Sequence, residues 1–209
     1  MELITKHNSE NSGLEIRQTS SPSTQELTSR FPTFRHFCQR FTHENAMIGA
    51  QHPTQCLTCS SPTLTDIKLA YGDGNSIAWI IYLLTFFQEN INVPNKMSKY
   101  QIETCAQSIF DTYHHLKATE LMLFFARLAG GMYPVEWHGY VTPTKIVTAL
   151  REHFMPWRNN LLWKIDRQNQ ERKAKEEARQ PVCTWEEYRR MKQEAGEETI
   201  HSDNPLTMI

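Results

Sequence analysis

The 209-residue chain carries 22 Lys+Arg against 23 Asp+Glu, a formal net charge of −1 with a pI near 6.8. That balance excludes a global bias towards polyanions or membrane surfaces. A hydrophobic fraction of 39% is low for a wholly globular chain and points to one well-stocked core with polar extensions.

Residues 1–30 are rich in Ser, Thr, Asn, Gln and Glu and are expected to form a disordered N-terminal tail, because they cannot repay the entropy of ordering. No basic stretch followed by an apolar one opens the chain, so no secretory signal is read. Five cysteines without such a signal fit reduced thiols and a cytoplasmic setting. Residues 31–63 hold four Phe, three His and three Cys with no clean period. They are expected to be an irregular segment with one short helix near 32–42.

The core is expected over 64–157. Thr65 reads as an N-cap and Gly72 as the end of a two-turn helix, with Asp73-Gly74-Asn75 as a turn. The spacing then predicts a helix from Ser76 to Asn90, apolar all round and therefore central. Its apolar run, 77–87, is too short for the ~20 residues that span a bilayer. Ser98 and Gln101 match a capping box, and Ile102, Cys105, Ala106, Ile109, Phe110 and Tyr113 form an amphipathic stripe behind it. A further helix, Thr119 to Ala129, stops at Gly130-Gly131. Residues 132–142 suggest a structured loop or small hairpin, after which Thr142 and Pro143 open another helix. Pro156 lacks an N–H and forces a kink or restart.

Beyond it, 158–180 reads as a charged helical stalk, with seven Lys/Arg against four Asp/Glu. Thr184 and Glu187 cap a short docking helix within 181–209. The fold class is thus mainly α: a compact multi-helix bundle with a small irregular or hairpin loop, a long charged C-terminal helix and a disordered N-terminus.

Nucleotide-binding, zinc-protease and serine-hydrolase signatures are missing, so the chain reads as non-enzymatic. His114, His115 and His153 read as structural histidines, and Asp111 and Glu120 as isolated surface charges. Cys56-x-x-Cys59 could supply half of a zinc site, completed by Cys38 with His36, His43 or His52. The plainer alternative, free thiols in a polar loop, weighs more. Tyr133, Trp137, His138 and Tyr140 cluster near the basic residues Arg158, Lys164 and Arg167, a grouping able to stack on bases and track phosphates. Against that, the aromatics could plug the end of a bundle, and the intervening glutamates suit an ordinary exposed helix. Trp185, Tyr188 and Met191 form a narrow apolar stripe on a helix too short to be stable alone. It must dock on its own core or on a partner.

Four segments carry a resemblance: LAYGDGNSIAWIIYLLTFF (69–87), NKMSKYQIETCAQSIFDTYHHLKATELMLFFARLAGGMY (95–133), GYVTPTKIVTALREHF (139–154) and TWEEYRRMK (184–192). Over them the chain resembles a family of phage and mobile-element proteins of Bacteroidetes. It departs from the family pattern at Pro134, where a glycine is usual, and at Thr142, where an aspartate is usual. The resemblance implies a replication-associated accessory role, helicase-loader-like or primosome-like. The leading expectation is therefore a non-enzymatic, nucleic-acid-associated adaptor of a mobile element. Its partners would be DNA and a replication or host protein held by the C-terminal helix, with no membrane. The alternatives are a protein-interaction module or regulator without nucleic acid, and a small structural zinc protein.

Overall fold

Short helices announce themselves by their caps, and here the caps set the architecture. The structure, a computed structural model, describes residues 24–179 and 185–198. Four short helices come first: α1 (Thr24–Arg30), α2 (Phe34–Arg40), α3 (His43–Gly49) and α4 (Pro53–Thr58). Thr33 and Thr42 cap α2 and α3 through hydroxyls that accept from His36 and Asn45 backbone N–H, and Pro53 sits at the start of α4. This corrects two expectations. Residues 31–63 hold the expected short helix near 32–42, α2, but two further helices stand where a loop was expected, and 24–30 are helical with Leu27 only 1% exposed. At six or seven residues each, α1, α3 and α4 are too short for a periodic window to register. The rest of the expected N-terminal tail lies outside the described residues.

The core therefore starts well before residue 64. Phe37 is fully buried, its ring 4.5 Å from Phe41 and 5.6 Å from Trp79. Trp79 donates its indole N–H to the Phe41 carbonyl at 3.1 Å, so the aromatic cluster also satisfies a helix end.

The central helices follow: α5 (Leu64–Tyr71), α6 (Asp73–Asn90), α7 (Lys99–Tyr113) and α8 (Ala118–Ala129). The N-cap of α5 is Thr63 rather than Thr65, because Asp66 completes a capping box with Thr63. Asp73, Gly74 and Asn75 are the first turn of α6 and not a separate turn; Gly72, at φ 96°, makes the corner between the two helices. α6 is central as expected, yet Ala78, Tyr82, Thr85 and Glu89 leave one narrow exposed stripe. The Ser98–Gln101 capping box forms, and every apolar residue of the α7 stripe except Phe110 is buried.

Thr142 caps α9 (Pro143–Ala149), which passes through one π turn (Leu150–Phe154) into α10 (Met155–Arg179). Next to Pro156, where a kink or restart was expected, the helix takes one wide turn. Met155 donates to the Leu150 carbonyl, five residues back, and the widened ring relieves the clash a proline brings to an α-helical turn. α11 (Trp185–Glu198) completes the described elements; Thr184 and the remaining tail residues lie outside them. Of the described residues, those up to Leu162 form one compact unit and those from Trp163 a second. Among the described residues there is no strand, only two isolated bridges, and no helix long and apolar enough to cross a membrane.

If the N-terminal helices share the core, Phe37→Ala should lower unfolding free energy by about 3–5 kcal/mol in urea titrations followed by circular dichroism. A change below about 1 kcal/mol would place Phe37 outside the cooperative unit.

Candidate functional site

Where charge enters the interior of this protein, it does so at the start of α8. Glu120 is 1% exposed, and its carboxylate accepts from Arg158 at 2.8 and 2.9 Å through one oxygen. The other oxygen accepts from the Lys117 backbone N–H at 3.0 Å. Lys117, itself buried, donates its ammonium to the carbonyls of Leu57 and Cys59 at 3.1 and 3.0 Å, the open end of α4. Thr119 adds a hydrogen bond to the Cys56 carbonyl at 2.8 Å. Glu120 is thus no surface charge. The clue in the sequence is its place: a carboxylate on the third residue of a helix sits where backbone N–H groups and the helix dipole favour it.

The same pairing redefines Arg158. Expected on a nucleic-acid surface, it is 12% exposed at its side chain and committed to Glu120. Arg167 pairs with Glu171 at 2.9 Å, one turn on, with its guanidinium 5.7 Å from the Trp163 ring. Lys164 is exposed.

The loop after α8 divides in two. Gly131, at φ 69°, reverses the chain. Tyr133 then turns inward: it is buried, stacked on Phe124 and His153, and its hydroxyl accepts from Arg127 at 3.0 Å. Burial pushes the Tyr133 hydroxyl pKa up, against the opposing pull of Arg127. Trp137 is half-buried, 5.7 Å from Phe87. Both plug the bundle. His138 and Tyr140 stay exposed, His138 pairing with Glu136 at 3.0 Å. Asn95 pins the turn, donating its backbone N–H to Gly139 and accepting from the Val141 N–H at 2.9 Å.

The three cysteines named for zinc are not brought together, and no group of three metal-ligating side chains occurs among the described residues. Cys38 lies on α2 near Tyr71, whereas Cys56 and Cys59 neighbour each other at the end of α4. Cys56 donates to the Gly49 carbonyl at 3.2 Å, and burial first, then Cys59, pushes its thiol pKa up. Buried Cys105 is pushed up to about 12.

On α11 the expected stripe stands in the open. Trp185, Tyr188 and Met191 are all exposed, and the Trp185 and Tyr188 rings stack at 5.6 Å with Arg189 over Trp185. Trp163, also exposed, is an aromatic that the apolar pattern of α10 does not single out.

Comparison with protein-family models, with curated proteins and with solved structures finds no match to this chain.

Two outcomes follow from the buried pair. Glu120→Ala should cost about 3–5 kcal/mol of unfolding free energy by stranding Arg158, whereas Arg167→Ala, in an exposed pair, should cost under about 1 kcal/mol. The second concerns His115, whose pKa partial burial lowers below the ordinary 6.5, with Arg158 and His114 adding to that and Glu120 opposing it. The unfolded chain then binds this proton more readily, so the His115 contribution is complete above the ordinary value and lost as pH falls through the folded one. Urea midpoints should therefore decline on acidification below neutrality, and less steeply in His115→Gln. Parallel declines in the two chains would contradict this.

Proposed function

We propose that this chain is a non-enzymatic adaptor that holds a partner protein through α11. The carrying observation is the exposed stripe of Trp185, Tyr188 and Met191, at 67%, 49% and 57% exposure. Apolar area left in water forgoes ~25 cal/mol per Å² that a complementary groove would recover. Successive anchors one turn apart, on a helix otherwise clothed in charge, are how helices dock in grooves. Trp and Tyr are the side chains that most often dominate such contacts. The stacked Trp185–Tyr188 pair is partly pre-arranged, which lowers the ordering cost of binding.

Contact with DNA is the second reading, suggested by the mobile-element resemblance and its replication setting. It rests on exposed Lys164, Lys173 and Lys175 of α10 and on exposed His138 and Tyr140. It has less support, because Arg158 and Arg167 already serve carboxylates and Tyr133 is in the core.

The test is affinity capture from the native cell with the full chain and with Trp185→Ala/Tyr188→Ala/Met191→Ala, both checked for equal helicity. A protein held by the first and missing from the second is the expected result; identical capture by both would overturn the docking role. A gel shift at low salt on single- and double-stranded DNA decides the second reading, which an absent shift rules out.

A further inference from the structure

Away from α11, a cavity of about 340 Å³ opens between α1, α3, α4 and the flank of α8. That volume is at the lower end of the range for small-molecule sites, roughly 300–1,000 Å³. Its floor is apolar, built from Leu27, Phe41, Ala46 and Leu123, while Arg30 and Arg40 stand at its edge.

Helix ends border this cavity, and their carbonyls would normally offset a cation. Here those carbonyls are already engaged. Phe31 accepts from the Tyr71 hydroxyl, Arg40 from the Asn45 amide and Phe41 from Trp79. Gly49 accepts from Cys56, Cys56 from Thr119, and Cys59 from Lys117. The Ser61 hydroxyl accepts from the Thr119 N–H. Neither Arg30 nor Arg40, by contrast, has a carboxylate within ion-pair distance among the described residues, and both are exposed. The lining holds no Asp or Glu. An apolar chamber thus carries at its edge two guanidinium groups that no carboxylate of the described residues pairs, that of Arg30 lying 5.6 Å from the Phe31 ring, and no anion lines it.

We infer that this cavity binds an aliphatic monocarboxylate, with the chain on the Leu27–Phe41–Leu123 floor and the carboxylate between Arg30 and Arg40. A guanidinium offers a carboxylate paired donors, so the head group would gain charge-assisted hydrogen bonds. A neutral molecule of equal length would gain only the apolar part. The site is independent of the α11 surface and stands whether or not that surface docks a protein.

Calorimetric titration of the full chain with decanoate, below its micelle concentration, tests this against decanol and against Arg30→Ala/Arg40→Ala. Both substitutions are at exposed positions, and equal helicity is confirmed by circular dichroism. Saturable one-to-one decanoate binding is expected, weakened at least about tenfold in the double variant, with decanol bound more weakly and equally by both chains. Absence of saturable decanoate binding by the wild-type chain, or equal binding by both chains, would overturn the inference. A substitution that narrows the chamber from its floor, Ala46→Leu, should abolish decanoate binding at unchanged helicity; undiminished binding there would also overturn it.

Discussion

A carboxylate almost sealed from water must be compensated, and the partners of Glu120 tie three different parts of the chain together. Arg158 comes from α10, the Lys117 N–H from the turn before α8, and Lys117 in turn reaches the open end of α4. Burying this pair costs desolvation that is recovered only if all the partners arrive together. The interaction is therefore less a source of net stability than a condition on geometry: α4, α8 and α10 have to meet at one point. The aromatic cluster of Phe37, Phe41 and Trp79 supplies apolar burial on the same N-terminal layer. Hydrophobic contact drives that layer inward, and the buried charges fix where it stops.

How much of this the residues disclose depends on whether an element carries its own stripe or cap. Elements with a dense apolar run or a cap signature are legible: α6 from its apolar density, α7 from its stripe and capping box, α9 from Thr142 and Pro143. α1, α3 and α4 are not, since six or seven residues give a single turn of burial and the remaining positions look like polar noise. Pro156 marks the place where the helix changes but not the form of the change. A proline disrupts the α-helical turn, and here a π turn precedes it; nothing in residue type announces that turn.

The candidate surfaces follow the same division. Patterns that concern one element alone were readable, as with Trp185, Tyr188 and Met191, whose spacing places them together on α11 wherever that helix lies. Roles that depend on a distant residue were not. Arg158 looks like one more cation on a basic helix until Glu120, 38 residues away, takes it up. Tyr133 and Tyr140 belong to one aromatic cluster by composition, yet one is buried at 8% exposure and the other stands 58% exposed. The cavity edged by Arg30 and Arg40 draws on α1 to α4 together, so it became visible only once that layer was seen to be helical.

The central claim is that α1 to α4 belong to the same cooperative unit as α5 to α9, joined through the start of α8. Native-state hydrogen exchange tests it most directly, because it reports an opening free energy for each amide. In one cooperative unit the amides of Phe37, Phe41 and Leu57 exchange by the same global opening as those of Leu84 and Phe124. Exchange of residues 34–58 at an opening free energy several kcal/mol lower, with α6 and α8 still protected, would contradict it.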